Sequence, residues 1–263
     1  SHLSSYINQF LLTGEIEKWA ELRQEAGVVD ESERRQVLDL FSSFHGIGEE
    51  TAKKLYEEGY RTLSDIWYKA KLTTAQRTGI IWREHLRLRV ERAELEDIES
   101  LFQEQLDPLG VTWNLVGSYR RGEPTSRDID LLVQGGTLSL EQIVYQLRPY
   151  LAADLSHGPV KYMGIFRLSQ QHNGHQIDIR LVPPASYIYA LLHSTGSERF
   201  NTLMRIEAIK LGLTLSEYGL FPKDQPGAAS LPATQESDIF THLGVRYYAP
   251  AERLRDLVQL ELL

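Results

Sequence analysis

Three aspartates carry the strongest chemical signal in this 263-residue chain. Asp128 and Asp130 stand in Arg127-Asp128-Ile129-Asp130-Leu131-Leu132-Val133. On an extended strand alternate residues share a face, so both carboxylates point one way while Ile129 and Leu131 face a core. Asp178 lies in Gln176-Ile177-Asp178-Ile179-Arg180-Leu181-Val182, with the same alternation. If these strands are neighbours, ~4.8 Å apart, the three carboxylates gather. Gathered carboxylates repel one another unless hard cations neutralise them, and oxygen-only ligation suits Mg²⁺ or Mn²⁺. Two such ions ~3.5–4 Å apart serve an in-line displacement at phosphorus, activating a hydroxyl and stabilising a leaving pyrophosphate. Taken alone, an Asp-x-Asp strand also describes a solvated sheet edge, so its surroundings decide.

Upstream stands Gly117-Ser118-Tyr119-Arg120-Arg121-Gly122, directly after the apolar run Trp113–Val116. A glycine lets backbone approach a phosphate, and the Ser118 hydroxyl and Arg121 guanidinium can hold triphosphate oxygens through charge-assisted hydrogen bonds. A soluble surface turn explains the loop alone; it does not explain strand, Gly-Ser loop, arginine and Asp-x-Asp in this order. Further upstream, Phe44-His45-Gly46-Ile47-Gly48-Glu49-Glu50-Thr51-Ala52-Lys53-Lys54-Leu55 reads as helix, glycine hairpin, helix. Gly46 and Gly48 would present backbone N–H groups to a phosphate, with Lys53 and Lys54 adding charge. An ordinary helix C-cap explains the glycines about as well.

The elements that must position these groups follow from pattern. The first ~110 residues read as helical, with a long helix from about Ile80 to Leu106. Short strands follow at Thr112–Val116, Ile129–Val133, Tyr162–Leu168 and Gln176–Val182, interrupted by a helix around Leu140–Leu151. From Thr195 the chain turns helical through Leu211, and a Gly/Pro-rich stretch, Phe221–Pro232, leads to a short mixed end. Helices, then a sheet, then a small α/β end give an α+β fold. The absence of cysteine excludes disulfides, thiolate metal sites and a cysteine nucleophile. No run of eighteen apolar residues and no secretory start is present, so a soluble, intracellular protein is expected. The net charge of −8 disfavours phosphate contact in sum, but not in distribution. Residues 1–50 hold ten Asp/Glu against four Lys/Arg, residues 51–95 six against ten.

These segments together resemble the nucleotidyltransferase superfamily, and several more resemble the family X DNA polymerases. Thr195-Gly196-Ser197-Glu198-Arg199-Phe200-Asn201 matches that family's Thr-Gly-Ser-x-x-Phe-Asn motif and is followed by Arg205. Gly158–Gly164, with Lys161, resembles a lysine-bearing palm strand, and Leu215–Leu220, with Glu217 and Tyr218, resembles the thumb. The resemblance covers nearly the whole chain in order. It implies a helix-hairpin-helix DNA-binding region (35–91), a catalytic palm with a mixed sheet (92–195) and a small α/β subdomain selecting the nascent base pair (196–263). A partial lyase-like, 5′-phosphate-binding remnant would occupy 1–34.

By the same resemblance two Mg²⁺ ions, replaceable by Mn²⁺, would be held by Asp128, Asp130 and Asp178. The nucleotide would meet Gly117, Ser118, Arg121, Arg92, His193, Ser194, Gly196 and Asn201. DNA would meet Gly46, Gly48, Lys53, Lys54, Lys161, Arg180, Arg205, Glu217 and Tyr218. Expected partners are gapped or broken double-stranded DNA, without sequence preference, and dNTPs. The protein would act as a monomer, in the nucleus if its source is eukaryotic.

The sequence departs from the family pattern in four places. His193 and Ser194 stand where an aromatic pair commonly packs on the sugar, so use of rNTPs is expected too. Arg127 replaces a small residue and could steady a primer terminus. Ser169–His175 is too short for the long loop tied to template-independent addition, which favours templated synthesis. Tyr6, beside the lyase-like match Ile7–Gly14, takes the place of a Schiff-base lysine, so lyase activity is not expected. Other readings are a template-relaxed end-joining or terminal-transferase-like polymerase, a nucleotidyltransferase acting on RNA or a small molecule, and a non-catalytic DNA-end bridging protein.

Overall fold

Apolar residues at helical spacing, Val37 and Phe41, bury one side of helix α1 (Glu31–Ser42). Gly46, at φ +82°, turns the chain toward α2 (Glu49–Glu57). Helix α3 (Leu63–Lys69) starts at a reciprocal Thr62–Asp65 capping box, and α4 (Thr74–Ile81) follows. Their shared core contains Phe41, Phe44, Ile47, Ala52, Leu55, Ile66 and Ile80. A Cβ on Gly79 would run into the His45 carbonyl, so close packing of α4 requires glycine there. This computed structural model describes residues 31–263. The lyase-like match at Ile7–Gly14, and Tyr6 with it, lies outside the described residues.

The chain divides into two compact units, one through Ile81 and one from Trp82. The second opens with α5 (Arg83–Leu86), β1 (Val90–Glu91) and α6 (Arg92–Leu106). The single helix expected from Ile80 to Leu106 is therefore interrupted. Val90 is fully buried and pairs with Ser126, and Glu91 pairs with Thr125. Arg92 N then donates to the Pro124 carbonyl at 2.9 Å. A strand partner 36 residues downstream outweighs the local helical pattern.

After β2 (Trp113–Leu115), α7 (Gly117–Arg120) and β3 (Thr125–Ser126) come β4 (Ile129–Gln134), α8 (Leu140–Leu147), β5 (Leu151–His157), β6 (Lys161–Phe166) and β7 (His175–Val182). The main sheet has the order β2-β4-β7-β6-β5 and is mixed, with only the β4/β7 pair parallel. Ile129, Leu131 and Val133 of β4 join Ile177 and Ile179 of β7 in a core under α6 and α8. Leu132 and Val182 pack on the other face against α9 (Tyr187–Thr195), through Tyr187, Ala190 and Leu191. Asp130 and Asp178 share the parity of Leu132 and Val182, so the sheet's alternation turns them to the α9 face.

The helix expected to reach Leu151 stops at Leu147, where Pro149 starts a tight 3₁₀ turn, and Leu151–His157 forms an edge strand. Its sequence, Leu-Ala-Ala-Asp-Leu-Ser-His, holds no β-branched residue, and its pairing with β6 has two register shifts. The chain ends in α10 (Glu198–Lys210), the hairpin β8 (Leu213–Ser216) and β9 (Gly219–Pro222), and α11 (Glu236–Leu243), gathered on Phe200, Met204, Leu220, Ile239, Phe240 and Tyr248. The fold is α+β. Among the described residues no helix is long and apolar enough to cross a membrane.

Candidate active site

Asp130 and Asp178 are register partners on the parallel strands β4 and β7. Asp128 lies one residue before β4 rather than on it. Burial, and then the charges of Asp128 and Asp178, pushes the Asp130 carboxyl up to about 7. Asp128 is raised for the same reasons, burial first and Asp178 next. A hard cation on this wall would relieve both costs, and every donor is an oxygen. The donor set therefore fits divalent metal. Among the described residues no ready-made cage of three acidic or histidine ligands is closed. Asp178 instead accepts a 2.9 Å hydrogen bond from Gln176 Nε2 and lies 3.6 Å from Lys161 Nζ.

Gly117 explains itself through Asp130. Its φ is +65°, and a Cβ there would stand 2.5 Å from Asp130 Oδ2. The following residues form one helical turn, α7, rather than an open loop. Ser118 Oγ donates to Ser126 Oγ at 2.7 Å. Arg121 donates from Nη1 to the Thr195 carbonyl at 2.6 Å and from Nη2 to Glu123. Gly117, Ser118, Arg121, Asp128 and Asp130 line one cavity of about 680 Å³. The cavity also gathers Arg89, Arg127, Arg199 and Arg255. Arg89, Arg199 and Arg255 escape sequence reasoning: Arg89 sits in the basic run Arg87-Leu88-Arg89, Arg199 takes a variable position of the Thr-Gly-Ser motif, and no local motif holds Arg255.

Asp130 also borders a second cavity of about 220 Å³, with Asp178, Lys161, Arg180, His193 and Ser194. Here Glu217 is the hub: Arg180 Nη2 meets it at 2.9 Å and His193 Nε2 at 3.4 Å. Arg205 Nη2 lies 3.3 Å from His193 Nδ1, and Asn201 Nδ2 donates to the His193 carbonyl at 2.8 Å. Burial holds the His193 imidazole below its usual range, against the pull of Glu217. Gly196 sits where a Cβ would come within 3.0 Å of Arg121 Nη1, which ties the Thr-Gly-Ser segment to the first cavity. Tyr218 is largely exposed at the β8–β9 turn. Arg92 lines neither cavity: its Nη1 donates to the Tyr119 and Glu123 carbonyls, both at 3.2 Å, and its Nε meets Glu96.

In the first unit Gly48 caps α2 without a side-chain hydrogen bond, and nothing lies within 4 Å of the place a Cβ would take. Lys53 is paired with Glu50 at 2.7 Å, while Lys54 is exposed. Glu50 thereby has part of its charge offset at a helix start that otherwise favours anions.

The geometry agrees with comparison to known proteins. Residues 39–86 match the fingers domain of DNA polymerase lambda, 89–184 the DNA polymerase beta palm and 190–254 the DNA polymerase beta thumb. DNA polymerase lambda of Arabidopsis thaliana is 30% identical over 279 residues, covering 95% of this chain and 51% of the relative. DNA polymerase lambda of Rattus norvegicus is 33% identical over 241 residues, covering 82% and 42%. DNA-directed DNA/RNA polymerase mu of Homo sapiens is 29% identical over 294 residues, covering 96% and 58%. The chain thus spans about half the length of the curated relatives it matches. With fingers, palm and thumb matched in consecutive order and Asp130 and Asp178 in register on the palm strands, this chain belongs to the family X DNA polymerases.

Proposed function

We propose that this chain is a template-directed DNA polymerase that extends a primer 3′-hydroxyl in short gaps or at DNA ends during repair. The observation that carries the reading is the register pairing of Asp130 with Asp178, next to an arginine-lined cavity that Asp128 and Asp130 share with Gly117, Ser118 and Arg121. In the reaction the primer 3′-oxygen bonds to the α-phosphorus of the nucleotide, the bond to the β-phosphate oxygen breaks and pyrophosphate leaves. Two Mg²⁺ ions, or Mn²⁺, bound by Asp128, Asp130 and Asp178 would make the hydroxyl more acidic and offset triphosphate charge. Asp178 is the carboxylate placed to take the hydroxyl proton. Ser118 and Arg121 hold phosphate oxygens; Arg92 supports their turn from behind. Gly196, Asn201, His193 and Ser194 frame the base and sugar, and Lys161, Arg180, Arg205, Glu217 and Tyr218 face DNA. The working division is 35–91 for DNA grip, 92–195 for catalysis and 196–263 for the nascent base pair. The protein acts as an intracellular monomer. A non-catalytic bridging role would leave three mutually repelling carboxylates without a use.

The test is extension of a labelled primer across a one-nucleotide gap with Mg²⁺ and dNTPs, with blunt and single-stranded DNA as comparison. Gap filling abolished by chelator is expected; no extension on any substrate ends the proposal.

Gly48 gives a sharper check of the DNA grip. Its φ of −81° and ψ of 175° suit alanine, so Gly48→Ala is expected to change stability by less than about 0.5 kcal/mol, a small entropic gain offset by a poorer N-cap. The methyl group would nevertheless stand in the open approach to the helix N-terminus. Loss of one charge-assisted backbone contact weakens binding roughly tenfold. Fluorescence anisotropy on gapped duplex at low salt measures it, and unchanged affinity would remove the phosphate role of this turn.

Ribonucleotide use is favoured by one observation: Ser194, small and with its Oγ buried and without a partner among the described residues, borders the cavity beside Asp178. A relative named for both DNA and RNA synthesis supports the reading. Ser194→Phe is expected to lower insertion of rNTPs relative to dNTPs by roughly tenfold, the size of one close apolar contact. Equal ratios in the two proteins would sink it.

A further inference from the structure

The segment from Arg253 to Val258 is stitched beside the first cavity to Ser197 and Arg199, two residues of the Thr-Gly-Ser segment that line it. Ser197 Oγ donates to the Leu254 carbonyl at 2.9 Å, and Arg199 donates from Nε and Nη2 to the Leu257 and Val258 carbonyls at 2.8 and 3.1 Å. Arg255 stands between these stitches and lines the cavity. It meets Glu123 through Nη2 alone, 3.2 Å from Oε2 and 3.4 Å from Oε1. Its other two nitrogens have no partner among the described residues, and its side chain is 69% exposed. Glu123 also accepts from Arg121, so one carboxylate aligns two guanidiniums along one wall.

The other cavity arginines differ. Arg199 is spent on carbonyls, and Arg89 is anchored on the Thr125 hydroxyl and carbonyl at 2.6 and 3.1 Å. Arg255 combines an Nη2 anchored on Glu123 with an Nε and an Nη1 that are each free to donate to a phosphate oxygen.

We propose that Arg255 is a phosphate-binding residue of this site, positioned by Glu123 and the stitched 253–258 segment to hold the terminal phosphates of the incoming nucleotide beside Arg121. The proposal rests on the polymerase reading and adds to it a residue outside the Gly-Ser loop and the Thr-Gly-Ser motif. Because Arg255 is far from the aspartates' chemistry in role, its loss should act on nucleotide binding rather than on the bond-making step.

The experiment compares wild type, Arg255→Ala and Arg255→Lys in single-nucleotide gap filling, with inorganic pyrophosphate as product inhibitor and anisotropy for gapped-DNA affinity. For Arg255→Ala the KM for dNTP is expected to rise roughly tenfold and pyrophosphate inhibition to weaken by a similar factor, the lower end for a charge-assisted contact given its exposure. The kcat and the DNA Kd should stay within about twofold, and Arg255→Lys should recover part of the loss. A KM and inhibition constant within twofold of wild type overturn the proposal. So does a weakened DNA Kd with unchanged KM, which would make Arg255 a DNA contact. If wild type extends no primer, the polymerase reading fails by itself. Calorimetric titration with tripolyphosphate and Mg²⁺ then still decides Arg255: equal affinity for wild type and Arg255→Ala overturns it, and a tenfold loss supports it.

Discussion

Asp178→Asn is expected to cut primer extension roughly a thousandfold or more while leaving gapped-DNA binding within about twofold and the thermal midpoint unchanged or slightly raised. The activity loss follows from charge. One carboxylate ~4 Å from a cation contributes about 4 kcal/mol per unit of cation charge at an effective dielectric near 20. That is about a thousandfold in rate if it is lost only in the transition state. The substitution also removes the group proposed to accept the hydroxyl proton. Asparagine keeps the shape and an acceptor oxygen for Gln176 Nε2, so the local packing survives.

The stability half of this prediction makes it discriminating. Asp178 raises both Asp128 and Asp130 through its charge, so the folded protein without cation carries a repulsive cost at this wall. Neutralising one member removes part of it, as expected where function is maintained at the expense of stability. The measurements are single-turnover gap filling, anisotropy and a melting curve in chelator, made on the same preparations. Extension within tenfold of wild type would remove the aspartates from the chemistry. A large fall in the melting midpoint would instead make Asp178 a structural residue.

Asp130 and Asp178 were legible because strand alternation is local: apolar residues on both sides, Ile129 and Leu131 for one and Ile177 and Ile179 for the other, fix which face the carboxylates take, and the register then aligns them. The place of Ser118 and Arg121 on the cavity that Asp128 and Asp130 border was legible from the Gly-Ser turn beside them. The remainder depends on distance in sequence. Val90 leaves a helical pattern because Ser126 offers a strand partner, and Asp128 falls just before its strand because β4 begins at Ile129. The edge strand β5 holds no β-branched residue, and its leucines and alanines continue the preceding helical pattern. Arg92 turns to the Tyr119 and Glu123 carbonyls, a choice that only the closed fold makes available. Arg255 reaches Glu123 across 132 positions, and no window of sequence contains both.

The same nonlocality governs the largest stability effect expected. Glu236 is nearly buried and receives two forks: Arg120 at 3.0 and 2.9 Å, and the fully buried Arg253 at 2.8 and 3.1 Å. Arg253 is further fixed by the Tyr248 carbonyl and stands over both the Phe200 and Phe240 rings, 5.4 and 5.6 Å from their centroids. Glu236→Leu would leave two guanidiniums facing each other with no anion. Removing one partner of such a group costs about 3–5 kcal/mol, which for a unit of this size lowers the midpoint by roughly 6–20 °C. Activity should fall even where the variant is folded, because Arg120 adjoins Arg121 and also donates to Thr195 Oγ1 at 2.7 Å.

The pH dependence supplies the check on cause. Burial pushes the Glu236 carboxyl up, but the hydrogen bonds and charges of Arg253 and Arg120 outweigh it and hold the folded value below the ordinary one. Its contribution is therefore complete above the unfolded pKa and is lost only as pH falls through the folded value. The difference in stability between wild type and Glu236→Leu should stay flat from about pH 8 to about pH 5 and narrow only in stronger acid. A difference that narrows near neutral pH would assign the loss to another group. Pairing Glu236→Leu with Arg253→Met should recover part of it, since an apolar replacement removes the stranded charge as well; a double variant no more stable than the single one would mean that the cost lies in packing rather than in unpaired charge.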